Sequence, residues 1–116
     1  MLIISTEVLD QVEKIVGPVI VYFESGNALS VNTIRSRDYS DGSATTIFLM
    51  TASQIKQFIN SNIKSIRFNK AFLTNAKEGV TVFNNYDVFA GMNNYGLPYY
   101  TSKVNETSSD VQKLFY

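Results

Sequence analysis

The sequence predicts a small single α+β domain, residues 1–116, with an antiparallel or mixed sheet of about five or six strands, two main helices on one face and a short C-terminal helix. Three observations lead there. Segments 5–16 and 52–62 repeat apolar residues at helical offsets, and short β-branched runs bounded by turn residues lie between and beyond them. A hydrophobic content of 45%, with eight Phe and seven Tyr, is enough for one core without a metal or disulfide staple.

Val8, Leu9, Val12, Ile15 and Val16 fall on one face of a helix over 6–16, with Ser5 or Thr6 as its cap and Gly17-Pro18 as its stop. Val19–Glu24 and Ala28–Ile34 then read as a hairpin across Ser25-Gly26-Asn27, and Arg35–Ser43 as a polar loop or wide turn. The apolar run Thr45–Met50 reads as a central strand feeding a helix at 52–62, because Thr51 and Gln54 have capping-box spacing and Ile55, Phe58 and Ile59 share a face. Ile63–Asn69 returns to strand character. Ala71-Phe72-Leu73 is a further short strand with 75–79 as its turn, and Val80–Phe83 and Tyr86–Ala90 form a hairpin across Asn84-Asn85. No regular element fits 91–100. Residues 101–109 read as a flexible connector to a terminal helix capped by Ser109, with Val111, Leu114 and Phe115 as its apolar stripe.

The chain has no His and no Cys, which removes the side chain that titrates near neutral pH and the most readily activated nucleophile. No metal-ligand set, cofactor motif or catalytic residue is assigned, and the chain is read as a non-enzyme. Glu24 and Glu78 are isolated acids at turns. A hydrolase or nuclease would need carboxylates or a Ser/Lys pair to converge in space. Asp38-Tyr-Ser-Asp41-Gly-Ser43 offers oxygens but lacks calcium-loop spacing, so it reads as an ordinary turn. Gly91–Gly96 lacks the Lys-Ser/Thr ending of a phosphate loop, and Asn105-Glu106-Thr107 matches a glycosylation acceptor by chance.

The expected role is therefore contact. Tyr86, Met92, Tyr95, Tyr99 and Tyr100, with Leu114 and Phe115, supply large amphipathic area on irregular backbone, the composition favoured where proteins meet. The reading is a non-catalytic protein-binding domain, an assembly component or an inhibitor of a partner protein, with a homo-oligomer as one way to bury those residues. The alternative is a nucleic-acid module. Residues 51–77 hold Lys56, Lys64, Arg67, Lys70 and Lys77 without an acid, with Phe68 or Phe72 to stack bases, although the whole chain has zero formal charge. No membrane span and no basic, apolar secretory signal are legible, so the expected setting is the cytoplasm or a host-cell interior. Abundant Asn without a motif is a texture shared with viral accessory proteins, among others.

Overall fold

The computed structural model describes residues 1–8, 14–71 and 77–115, apart from the side chain of Phe115. Their backbone follows period two far more than period 3.6, so the α+β expectation gives way to an architecture dominated by strands. Nine strands and two short helices are present among the described residues: β1 (Leu2–Glu7), β2 (Lys14–Phe23), β3 (Ala28–Val31), β4 (Thr33–Ser40), β5 (Ser43–Leu49), α1 (Ala52–Asn60), β6 (Ile63–Ala71), β7 (Lys77–Phe83), β8 (Tyr86–Met92), β9 (Pro98–Lys103) and α2 (Thr107–Phe115). They form three sheets, ordered β1-β5-β4, β3-β2-β6-β7 and β8-β9, with every paired strand antiparallel.

The first two sheets face each other across the core. From one come Ile4 and Phe48; from the other come Ile15, Val19, Val21, Phe23, Leu29, Val31 and Phe68, all buried. In β2 the inward positions are the odd ones, Ile15, Gly17, Val19, Val21 and Phe23. Gly17 is one of them because a Cβ there would collide with the Asn32 side chain and lie 3.5 Å from Cε1 of Phe48. Pro18, which has no N–H for a ladder, sits in the register shift between Val16 and Ile20. The predicted helix over 6–16 is thus replaced at both ends by β1 and β2, while Leu9 and Val12 lie outside the described residues. Of the five apolar residues that fit a helical offset, Ile15 and Val16 are strand, decided by their β-branched neighbours and their pairing to β6.

Residues 35–43 are not a loop. β4 runs to Ser40 and turns into β5 through Asp41 and Gly42, whose φ values of 50° and 79° give the paired left-handed conformation of a tight hairpin. α1 starts where the capping box placed it: Thr51 Oγ1 accepts from Gln54 N at 3.1 Å, and Gln54 Oε1 accepts from Thr51 N at 2.8 Å. It ends at Asn60, two residues early. Phe58 fixes it to the core through an edge-to-face contact with Phe23, ring centroids 5.3 Å apart. Neither short helix covers a sheet face in the expected manner; α2 packs on α1 and contributes Val111 to the margin of the core. The strand-helix-strand reading of 45–69 agrees with β5, α1 and β6, but β5 and β6 lie in different sheets. Residues Phe72, Leu73 and Asn75 lie outside the description. Among the described residues no helix is long and apolar enough to cross a membrane.

Candidate functional site: a projecting aromatic arm

β8 and β9 pair with each other and with neither large sheet, so the expected hairpin between 80–83 and 86–90 does not form; β7 pairs with β6 instead. The irregular stretch after Gly91 and the connector after residue 101 are both partly strand, because β9 continues to Lys103. The result is a two-stranded arm. Its consequence is visible in the shape: the radius of gyration is 17.0 Å, against about 13 Å for a compact chain of this length, and the longest extent is 52 Å.

The arm has a fixed tip, two chemically different faces and a fixed root. At the tip, Asn93 Oδ1 accepts from Tyr95 N at 2.9 Å and Leu97 N at 3.0 Å, while Asn93 N donates to Leu97 O and Gly96 N to Asn93 O. This Asx-type closure projects Tyr95, 89% exposed, and Leu97 beyond the strands. On one face the register places Phe89 opposite Tyr100 and Met92 opposite Pro98, with the Phe89 and Tyr100 rings edge to face at 6.1 Å. Phe89 and Tyr100 nevertheless remain 58% and 59% exposed. The opposite face carries Tyr86, Val88, Tyr99, Thr101 and Lys103. Ala90 is the extra residue of a bulge, and Gly91 at φ 143° lets the Tyr99 hydroxyl approach to where a Cβ would be 3.1 Å away.

At the root, Asn84 precedes β8 and Asn105 follows β9. Asn84 Nδ2 donates to Ile63 O at 2.6 Å and to Asn105 O at 2.9 Å, and Asn105 Nδ2 returns a bond to Asn84 Oδ1 at 2.8 Å. Asn84 N also donates to Lys64 O at 2.9 Å. The adjoining helix is tied to the same place: Thr107 Oγ1 accepts from Ile63 N and Asn62 Oδ1 from Ser108 N, so α2 starts at Thr107 rather than at the expected Ser109 cap. Both ends of the arm are therefore held against the start of β6.

Five of the residues singled out in the sequence, Tyr86, Met92, Tyr95, Tyr99 and Tyr100, come together on this arm. Leu114 does not; it is exposed near the far end of α2, and the Phe115 side chain lies outside the description. Sequence reasoning missed Phe89 as the partner of Tyr100, Leu97 at the tip and the Asn84–Asn105 clamp. A period-two pattern flanking Asn93–Leu97 was the available signal.

The basic segment is dispersed. Lys56 lies on α1; Lys70 is opposite Glu78 in the ladder, with Nζ 3.9 Å from its carboxylate; and Lys77 is at the strand end. Phe68, offered for base stacking, is 2% exposed in the core, and Phe72 is outside the description. Lys64 and Arg67 line one depression together, with Tyr22, Ser65 and Thr81. Comparison with protein-family models, curated proteins and solved structures gives no match.

Proposed function

We propose that this chain is a non-catalytic assembly component that binds protein through the β8–β9 arm, and that the occupant of the arm's apolar face is the same face of a second copy. The observation that carries this is a rooted ribbon whose Phe89, Tyr100 and Met92 stay exposed in the isolated chain. An isolated two-stranded ribbon is marginal in water, and its aromatic face gains most by packing against another apolar layer.

The area supports a two-fold contact. With roughly 200 Å² per large side chain, Phe89, Tyr100 and Met92 expose about 350 Å² on the face, and Tyr95 and Leu97 at the tip bring the total to about 600 Å² per chain. Complete burial of face and tip in two copies would reach about 1,200 Å² at most, the lower bound for a stable specific interface. Charge favours the same arrangement. Formal net charge is zero, so the copies do not repel as wholes. By register the face carries one charged residue, Asp87 at the root, and antiparallel packing would separate the two Asp87 by about the 20 Å length of a seven-residue strand.

Light scattering on the eluting chain across micromolar to submillimolar concentrations tests this. The expected mass is twice 13.0 kDa, falling to one chain in the double variant Phe89→Ser/Tyr100→Ser while its circular dichroism is retained. A monomer throughout that range refutes the proposal, as does a dimer that the double variant leaves intact.

A further inference from the structure

The outer face of the β3-β2-β6-β7 sheet carries a second, chemically different surface. Register puts Tyr22, Ser65 and Phe83 in one row across β2, β6 and β7, and Ile20, Arg67 and Thr81 in the next. Ser65 is small and buried, so the row is a trough with an aromatic wall on either side: Tyr22 is 38% and Phe83 63% exposed. Two strand spacings set those walls roughly 9.5 Å apart at the backbone. Arg67 and Lys64 line the adjoining depression, a shallow hollow of about 410 Å³ lined also by Phe23, Gly26, Asn27 and Thr81.

The lining is selective in its chemistry. It holds two cations, the hydroxyls of Tyr22, Ser65 and Thr81 and the amide of Asn27, and no carboxylate. Neither Lys64 nor Arg67 makes an ion pair among the described residues, whereas Lys70 on the same strand is paired with Glu78. Arg67 leans across β7 beside Gly79, where a Cβ would stand 3.2 Å from Nη2, so the glycine leaves the guanidinium room, and reaching a phosphate beside Ser65 takes a swing of this exposed side chain back along β6. A guanidinium and an ammonium beside hydroxyl donors suit a phosphate group, and aromatic walls suit a planar ring.

From this juxtaposition we infer that the trough is a nucleotide-binding site, with the phosphate held by Lys64 and Arg67 and the base stacked at Tyr22 or Phe83. The phosphate-plus-base unit could come from a free nucleotide or from a single strand, and the shared chemistry is the same. The site is independent of the arm's apolar face.

Amide-resolved NMR titration of the full chain with inorganic phosphate, adenosine 5′-monophosphate and a six-nucleotide oligouridylate tests the inference. The expected shifts cluster at Tyr22, Gly26, Asn27, Ser65, Arg67, Thr81 and Phe83. The monophosphate should bind about tenfold more tightly than inorganic phosphate, because a stacked base adds to the phosphate contact. Lys64→Gln and Arg67→Gln should each weaken all binding about tenfold, and Tyr22→Leu with Phe83→Leu should erase the advantage of the base; unchanged spectra elsewhere verify folding. Affinity for the hexamer well above that for the monophosphate assigns the site to a strand, and equal affinity assigns it to a free nucleotide. No shifts at millimolar ligand, or shifts spread equally over Lys56, Lys77 and Lys103, would overturn it.

Discussion

Replacing Asn84 with Ala isolates the arm from the body. The side chain makes three hydrogen bonds, two from Nδ2 to the carbonyls of Ile63 and Asn105 and one accepted from Asn105 Nδ2. At about 1 kcal/mol net each the sum is about 3 kcal/mol, but Asn105 is exposed and water can restore its lost partners, which reduces the expected cost to about 2 kcal/mol. The backbone bond from Asn84 N to Lys64 O is unaffected, so the chain stays attached while the clamp opens. About 2 kcal/mol corresponds to roughly 30-fold faster exchange of amides protected by arm docking. Hydrogen exchange followed residue by residue should show that acceleration in β8 and β9, with the centres of β2 and β6 much less affected. Asn84→Ala/Asn105→Ala should cost little more than the single change, because both residues serve one clamp. Unchanged arm exchange would refute the clamp, and an equal acceleration of arm and core would show that Asn84 stabilises the whole fold instead.

Gly91→Ala forces a side chain into φ 143° and against Tyr99, so it should destabilise the arm by about 2 kcal/mol, seen as faster arm exchange with little change in core melting; Tyr99→Ala in the same chain should relieve the contact and leave the backbone strain. Thr51→Ala should lower stability by about 1 kcal/mol in denaturant melts, and adding Gln54→Ala should cost little further because the reciprocal cap is already broken. Phe48→Ala removes a ring with no exposed surface from between the sheets and should cost about 3–5 kcal/mol, measured as a fall in the denaturation midpoint with the slope retained.

The parts legible in the sequence were those set by local chemistry. Thr51 and Gln54 specify the start of α1 because their bonds close within four residues, and Val19–Phe23 with Ala28–Val31 specify a hairpin through an adjacent turn. Ile15 and Val16 were ambiguous: with Val8, Leu9 and Val12 they satisfy helical spacing, and with Val19 and Val21 they satisfy a strand. Only the partner strand β6, distant in sequence, decides between the two. Gly17-Pro18 ends a helix by local rules, yet here it sits within β2, where the small inward residue fits beside Phe48 and the proline falls in an irregularity. Asp41-Gly42 did carry a hairpin signal, obscured by the polar residues of β4, an edge strand with little need of apolar alternation. The tyrosines of the arm could be found from composition. Its clamp could not, because Asn84 and Asn105 look like turn residues until pairing brings them together.

The arm and the trough meet at residues 64 and 83–84, but by different atoms. Lys64 supplies its carbonyl to Asn84 N and lines the hollow beside the trough; Phe83 is a trough wall, and Asn84 beside it is the clamp. Changing Lys64 to Gln alters the ammonium and preserves the carbonyl, so it should weaken nucleotide binding without changing arm exchange or the mass of the particle. Asn84→Ala removes arm contacts while leaving the Tyr22–Ser65–Phe83 row paired through β2, β6 and β7, so nucleotide affinity should change by less than about threefold, on the order of 0.6 kcal/mol. Measuring both readouts on both variants decides whether the surfaces act separately. If Lys64→Gln loosens the arm, or Asn84→Ala abolishes nucleotide binding, the side chain and backbone at this junction are coupled, and the division between an apolar assembly surface and a polar ligand surface fails.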